Sequence, residues 1–180
     1  TQSTLTPTAN AWQYVDSEHN DDVELYDSTG NLLSITKRNG YALILAYSDG
    51  TTGINGSRYL NADGSSTNSA LPAGFLTHIT DSFGRSLSFG YDTAARIVKV
   101  VSPDNGVYLY RYGTNNNLIS VKYPDNNART YLYNEAANTS GSNFPGALTG
   151  IIDEKNLRFA TFVIRRRNGA SVFRRNGATG

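Results

Sequence analysis

With 180 residues, 17% charged and 38% apolar, the chain is long enough to bury a core, yet it draws its polarity from Asn, Ser, Thr and Gly. It holds no cysteine, which excludes disulfides and thiol chemistry, and no apolar run near the ~18 residues of a membrane-spanning helix. The net charge is +1, but Arg165, Arg166, Arg167, Arg174 and Arg175 crowd the last 16 residues; the rest carries eleven basic against fifteen acidic side chains and is no nucleic-acid binder by charge.

Residues 1–11 read as an N-terminal tail without a basic-then-apolar secretory signal. The stretch EHNDD, Glu18 to Asp22, gathers acids around His19. It reads as a solvated turn or as a divalent-cation cluster, and its spacing fits no recognised ligand loop. A strand is predicted at Val23–Tyr26, then a turn from Asp27 to Gly30, a partner strand in NLLSITK, and an Asn39-Gly40 turn suited to type I′ geometry. YALILAY, Tyr41 to Tyr47, is apolar on both faces, so it reads as a strand covered on both sides. Residues 48–75 break the pattern and read as a long loop or irregular hairpin. His78 alternates with apolar neighbours in FLTHITD, as a strand-surface histidine does; a catalytic base is the weaker reading.

From Tyr91 the chain repeats. Tyr91 aligns with Tyr112, Ile97-Val98 with Leu118-Ile119, Pro103-Asp104-Asn105 with Pro124-Asp125-Asn126, and Tyr133 opens a third copy; Tyr26 and Tyr47 stand at the same spacing of 21. Each unit reads as two strands and two turns, which take roughly 20 residues. In NGVYLYRYG, Tyr108, Tyr110 and Tyr112 fall on one strand face. Asn105-Gly106 is a second type I′ candidate, and Pro103 and Pro124 belong at turn entries. Residues 134–146 are again irregular. After Phe162 the basic tail, 164–180, departs from the pattern. It reads as a frame change or premature truncation of a longer gene, with a natural tail and a nucleic-acid-binding arm as alternatives.

Catalytic and cofactor signals are missing from the sequence. No serine sits in a Gly-x-Ser-x-Gly elbow, no Gly-Lys-Ser/Thr holds phosphates, and no Asp-rich stretch completes a calcium loop. The Asn55 and Asn138 glycan-acceptor triplets read as chance matches. No cofactor and no enzymatic activity are expected. The tyrosines Tyr91, Tyr108, Tyr110, Tyr112, Tyr131 and Tyr133 have two readings: cross-strand packing within a sheet, or a row of rings that stacks on sugars.

YDSTGNLLSI, YDTAARIVKV, DSFGRSLSFGYD and YPDNNARTYLYNE resemble the tyrosine–aspartate (YD) repeat of the bacterial rearrangement-hot-spot (Rhs) proteins, over about Trp12 to Phe162. The resemblance implies an all-β fold of antiparallel YD-repeat hairpins, a curved continuous sheet forming a segment of an Rhs-type β-shell. It implies a domain over 12–163, a secreted or cell-surface setting and a toxin polypeptide enclosed by the full-length shell. Binding of carbohydrate or cell surfaces is the alternative role. Some family members cleave themselves through an Asp-Pro motif, which SPDNG and YPDNN invert, so no catalytic residue carries over. Open sheet edges are expected to pair with other repeat segments or with a second copy as a homodimer.

Overall fold

One turn geometry recurs along the chain. The computed structural model describes residues 3–17, 21–52, 57–167 and 170–176, with side chains through residue 164. Among these, nine five-residue turns begin at Asp27, Lys37, Asn61, Asp81, Asp92, Ser102, Gly113, Tyr123 and Asp153. In each, the first N–H donates to the fifth carbonyl and the fourth N–H to the first carbonyl. The fourth residue alone is left-handed: Gly30, Gly40, Gly64, Gly84, Ala95, Asn105, Asn116, Asn126 and Asn156, with φ between 60° and 92°. This is a type I turn closed by a G1 bulge. The type I′ expectation at Asn39-Gly40 and Asn105-Gly106 is therefore corrected, since type I′ needs two consecutive positive φ values and each turn supplies one. Pro103 and Pro124 sit at the second turn position, where their fixed φ suits a type I turn.

An aspartate at the first position secures four of these turns, in two of them as the partner of a Tyr-Asp pair, Tyr26-Asp27 and Tyr91-Asp92. Asp27, Asp81, Asp92 and Asp153 each accept the N–H groups of the third and fifth turn residues on one carboxylate oxygen. Arg85 and Arg96 reach back from the fifth position to the second oxygen at 2.7 and 2.8 Å. Burial pushes the Asp81 and Asp92 carboxyls up, but these hydrogen bonds outweigh it and hold both below the usual carboxylate range.

The chain forms two compact units, Thr1–Gly106 and Val107–Gly180. The first runs β1 (Thr4–Pro7), β2 (Ala11–Asp16), β3 (Asp22–Asp27), β4 (Leu32–Thr36), β5 (Ala42–Tyr47), β6 (Arg58–Leu60), β7 (Ser66–Ala70), β8 (Leu76–Asp81), β9 (Ser86–Tyr91) and β10 (Ile97–Val101). The second runs β11 (Val107–Tyr112), β12 (Leu118–Lys122), β13 (Ala128–Tyr133), a 3-10 turn at Ala136–Asn138, β14 (Leu148–Ile152), β15 (Arg158–Arg167) and β16 (Ala170–Asn176). Consecutive strands pair antiparallel in each unit, except that β6 and β7 form their own hairpin and β5 pairs directly with β8. The all-β, antiparallel-hairpin fold expected from the period is thus the fold observed. Residues 4–7 of the expected N-terminal tail form β1, paired to β2. Part of the basic tail lies in β15 and β16, which pair from Thr161↔Asn176 to Arg167↔Ala170; the side chains of its arginines lie outside the described residues.

Both irregular stretches cover sheet. The 48–75 insertion is pinned at its base by Ser48, whose N–H donates to the Phe75 carbonyl and whose hydroxyl donates to the Pro72 carbonyl. Its β6–β7 hairpin lies on the Gly90 side of β9, where a Cβ on Gly90 would collide with Leu60 Cδ1. Its own Leu71 is 1% exposed, and Phe75 meets Tyr91 edge-on at 5.0 Å. In the second unit, Glu135 at the head of the 134–146 stretch accepts two bonds from the Arg158 guanidinium, at 2.9 and 2.7 Å. Beside them Thr149 is fully buried, accepting from the Glu135 N–H and donating to the Leu132 carbonyl.

Among the described residues, buried apolar side chains are few: Leu71, Tyr91, Val98, Val121, Ala160 and Ile164.

Candidate functional site

The repeated tyrosine stands at or next to the end of its strand, opposite the residue that opens the next paired strand. The pairs are Tyr26↔Leu32, Tyr47↔Leu76, Ile97↔Tyr91, Tyr112↔Leu118 and Tyr133↔Leu148, each beside a register shift. At Tyr26, Tyr91 and Tyr112 the shift adjoins the bulged turn that closes the hairpin, and at Tyr47 and Tyr133 it adjoins an insertion. Three of these hydroxyls bond back to the main chain. Tyr47 Oη donates to the Leu32 carbonyl at 2.9 Å, Tyr91 Oη to Leu76 at 2.8 Å, and Tyr133 Oη to Leu118 at 2.9 Å. In every case the acceptor lies 15 residues upstream, at the start of the preceding strand. Burial first, then a nearby tyrosine or aspartate, raises the pKa of all three phenols, so they remain neutral donors near neutral pH.

The expected ring row divides between the units. Tyr91 lies in the first, 9% exposed and edge-on to Phe75. Tyr108, Tyr110, Tyr112, Tyr131 and Tyr133 share one face of the second, because Tyr110 pairs with Val121 and Val121 with Arg129. Tyr108 meets Tyr123 edge-on at 6.1 Å, and Tyr110 is raised by burial and by its neighbours Tyr108 and Tyr131. The five rings of this face are half-buried. Arg129 stands among them, paired with Glu154 at 2.9 Å and lying over the Phe159 ring.

His78 is exposed on β8, opposite Ala46 and Ser88, in the strand-surface position expected of it. Of the EHNDD stretch, residues 18–20 lie outside the described residues; Asp22 pairs with Lys37 and Asp21 with Arg38. Asn55 lies outside them too. Among the described residues no three His, Cys, Asp or Glu side chains converge as a metal centre.

One concavity was not anticipated from the sequence. Leu5, Trp12, Tyr14, Glu24, Tyr26 and Gly30 line a hollow of about 490 Å³ over β1, β2 and β3. Its only sequence signal is the two-residue spacing of Trp12 and Tyr14 and of Glu24 and Tyr26, which shows a shared face within each strand but not that the strands adjoin. The Tyr26 hydroxyl donates to Glu24 Oε2; that bond, with burial, pushes the phenol up to about 12.

No protein-family model and no curated protein matches the chain. Among solved structures, the crystal structure of TcdB2-TccC3-Cdc42 is similar over 97% of this chain at 15% identity with a TM-score of 0.43. That of TcdB2-TccC3-TEV is similar over 96% at 15% identity with a TM-score of 0.26. This chain spans 11% and 9% of the length of those two chains.

Proposed function

We propose that the chain is a structural segment of an Rhs-type β-wall, without catalysis of its own, whose full-length form encloses a secreted toxin polypeptide. The observation that supports it is the repeated tyrosine-to-carbonyl bond 15 residues upstream. A ring held by its hydroxyl to the main chain of the preceding strand, at the far end of the same hairpin, works as a structural tie, and its polar end is not free for a ligand. The large apolar side chains left exposed, Ile44, Phe83, Leu157 and Phe159 among them, are consistent with a segment that other repeats cover. On this reading the wall acts by exclusion: paired backbone groups leave a protease no accessible strand, and the partners are further repeat segments or a second copy.

Among the described residues β1 pairs only with β2, and β16 only with β15. Light scattering of the purified chain over a wide concentration range, with hydrogen exchange read at β1 and β16, tests the wall. Concentration-dependent association with slowed exchange at those strands is expected. A strictly monomeric chain that binds glycans saturably on an array, with binding lost in Tyr110→Ala and Tyr131→Ala, would overturn it in favour of the carbohydrate role.

A further inference from the structure

The hollow on the first unit has a composition that the wall role does not use. Register sets Leu5 opposite Tyr14 and Tyr14 opposite Glu24; the adjoining row sets Pro7 opposite Trp12 and Trp12 opposite Tyr26. Residues two apart along a strand share a face, so all six side chains look the same way. Two of the apolar ones are left uncovered, Trp12 at 43% and Leu5 at 61% exposure. A volume of about 490 Å³ is that of a small-molecule site.

Glu24 decides what fits there. Its carboxylate accepts the Tyr26 hydroxyl and pairs with no lysine or arginine among the described residues. Tyr26 orients it without neutralising it. A carboxylate set among aromatic rings with no cation of its own is an incomplete ion pair. The faces of Trp and Tyr rings attract cations through their quadrupoles, Trp most strongly. Rings and carboxylate therefore favour the same ligand, one with positive charge spread over an apolar surface. A neutral sugar would use the rings but not the charge.

We propose that this hollow binds a soluble organic cation of the quaternary-ammonium class, its methyl groups against Trp12, Tyr14 and Tyr26 and its charge facing Glu24. The site is independent of the wall reading, since association through sheet edges and ligand binding on this face are measured separately.

Trp12 is the only tryptophan in the chain and reports on the site. The full chain is titrated with choline chloride at constant ionic strength while its tryptophan emission is followed. A parallel titration uses 3,3-dimethylbutan-1-ol, the uncharged isostere, and a third uses methyl glucoside. The expected result is a saturable change with choline and binding of the isostere weaker by about tenfold, as a desolvated cation–π contact implies. In Glu24→Gln, checked for an unchanged far-UV spectrum and melting temperature, choline's advantage over the isostere should shrink to the part that the rings alone supply. Equal affinity of choline and the isostere for the native chain, a stronger response to the glucoside, or no saturable response to choline overturns the proposal. The isostere comparison needs no variant, so a misfolded Glu24→Gln does not blunt the test.

Discussion

Tyr47, Tyr91 and Tyr133 each make the same hydrogen bond to a main-chain carbonyl that opens the preceding strand. Replacing any one by Phe keeps the ring and deletes the bond, at a cost of about 1 kcal/mol in urea unfolding. Tyr131→Phe, whose hydroxyl makes no such bond among the described residues, is the control and is expected to shift the midpoint less. The turns make a second prediction at this scale. Ala95 occupies the left-handed position that Gly30, Gly40 and Gly84 fill elsewhere, at φ +61°. A left-handed alanine is strained by roughly 1–2 kcal/mol, and the extra chain entropy of glycine offsets part of that. Ala95→Gly should therefore raise stability by about 0.5 kcal/mol and Gly84→Ala should lower it by about 1 kcal/mol, both read from thermal melts. The sequence carried the residue types of these turns but not their backbone type. Asn-Gly announces a positive φ without saying whether one residue or two will take it. Pro103 was the informative neighbour, since its φ fits the second position of a type I turn, after which Asn105 and not Gly106 turns left-handed.

Between elements, the insertions matter more than their irregular sequences suggest. Glu135, joined to Arg158 across the 134–146 stretch, has its carboxyl lowered from 4.5 to about 2, first by the Arg158 hydrogen bond and further by Thr149 and Asn138. A carboxyl lowered in the folded state stabilises above its unfolded value and loses that contribution as pH falls through its folded one. The stabilisation is thus complete above about pH 4.5 and fades toward pH 2. The pair is partly exposed, with Glu135 at 30% and Arg158 at 38%, so the full shift overstates its worth and about 1–2 kcal/mol remains after solvent screening. Native chain and Glu135→Gln should differ by that amount at pH 7 and converge by pH 2–3 in pH-dependent unfolding. That residues 48–75 and 134–146 break the period was legible, because both lack strand alternation. Where they fold was not. The seating of Leu60 on Gly90 joins residues 30 apart, and no local pattern encodes it. The hollow over β1–β3 was missed for the same reason: its lining needs two strand registers at once, and β1 fell in a stretch read as tail.

For the whole molecule, the decisive quantity is how little apolar surface is fully enclosed. An ordinary 180-residue domain unfolds with a heat-capacity increase of about 2.2–2.7 kcal/mol/K. Here much apolar surface is already wet in the folded state, so calorimetry on the dilute chain should give a value below that range. Association at higher concentration should raise the melting temperature by mass action. The period itself was the most legible feature at this scale, and for a mechanical reason: two five-residue turns with strands of five and six residues leave no slack, so 21 residues bring the next tyrosine to the same station. The three hydroxyl ties, finally, mark out closed cassettes at residues 32–47, 76–91 and 118–133, and the long insertions begin directly after the first and the third. Extra length enters at a cassette boundary, where it strains no tie. Those boundaries are the natural splice points of the chain: foreign sequence grafted behind Tyr91 should be carried without loss of folding, while the same graft placed between Leu118 and Tyr133 should not.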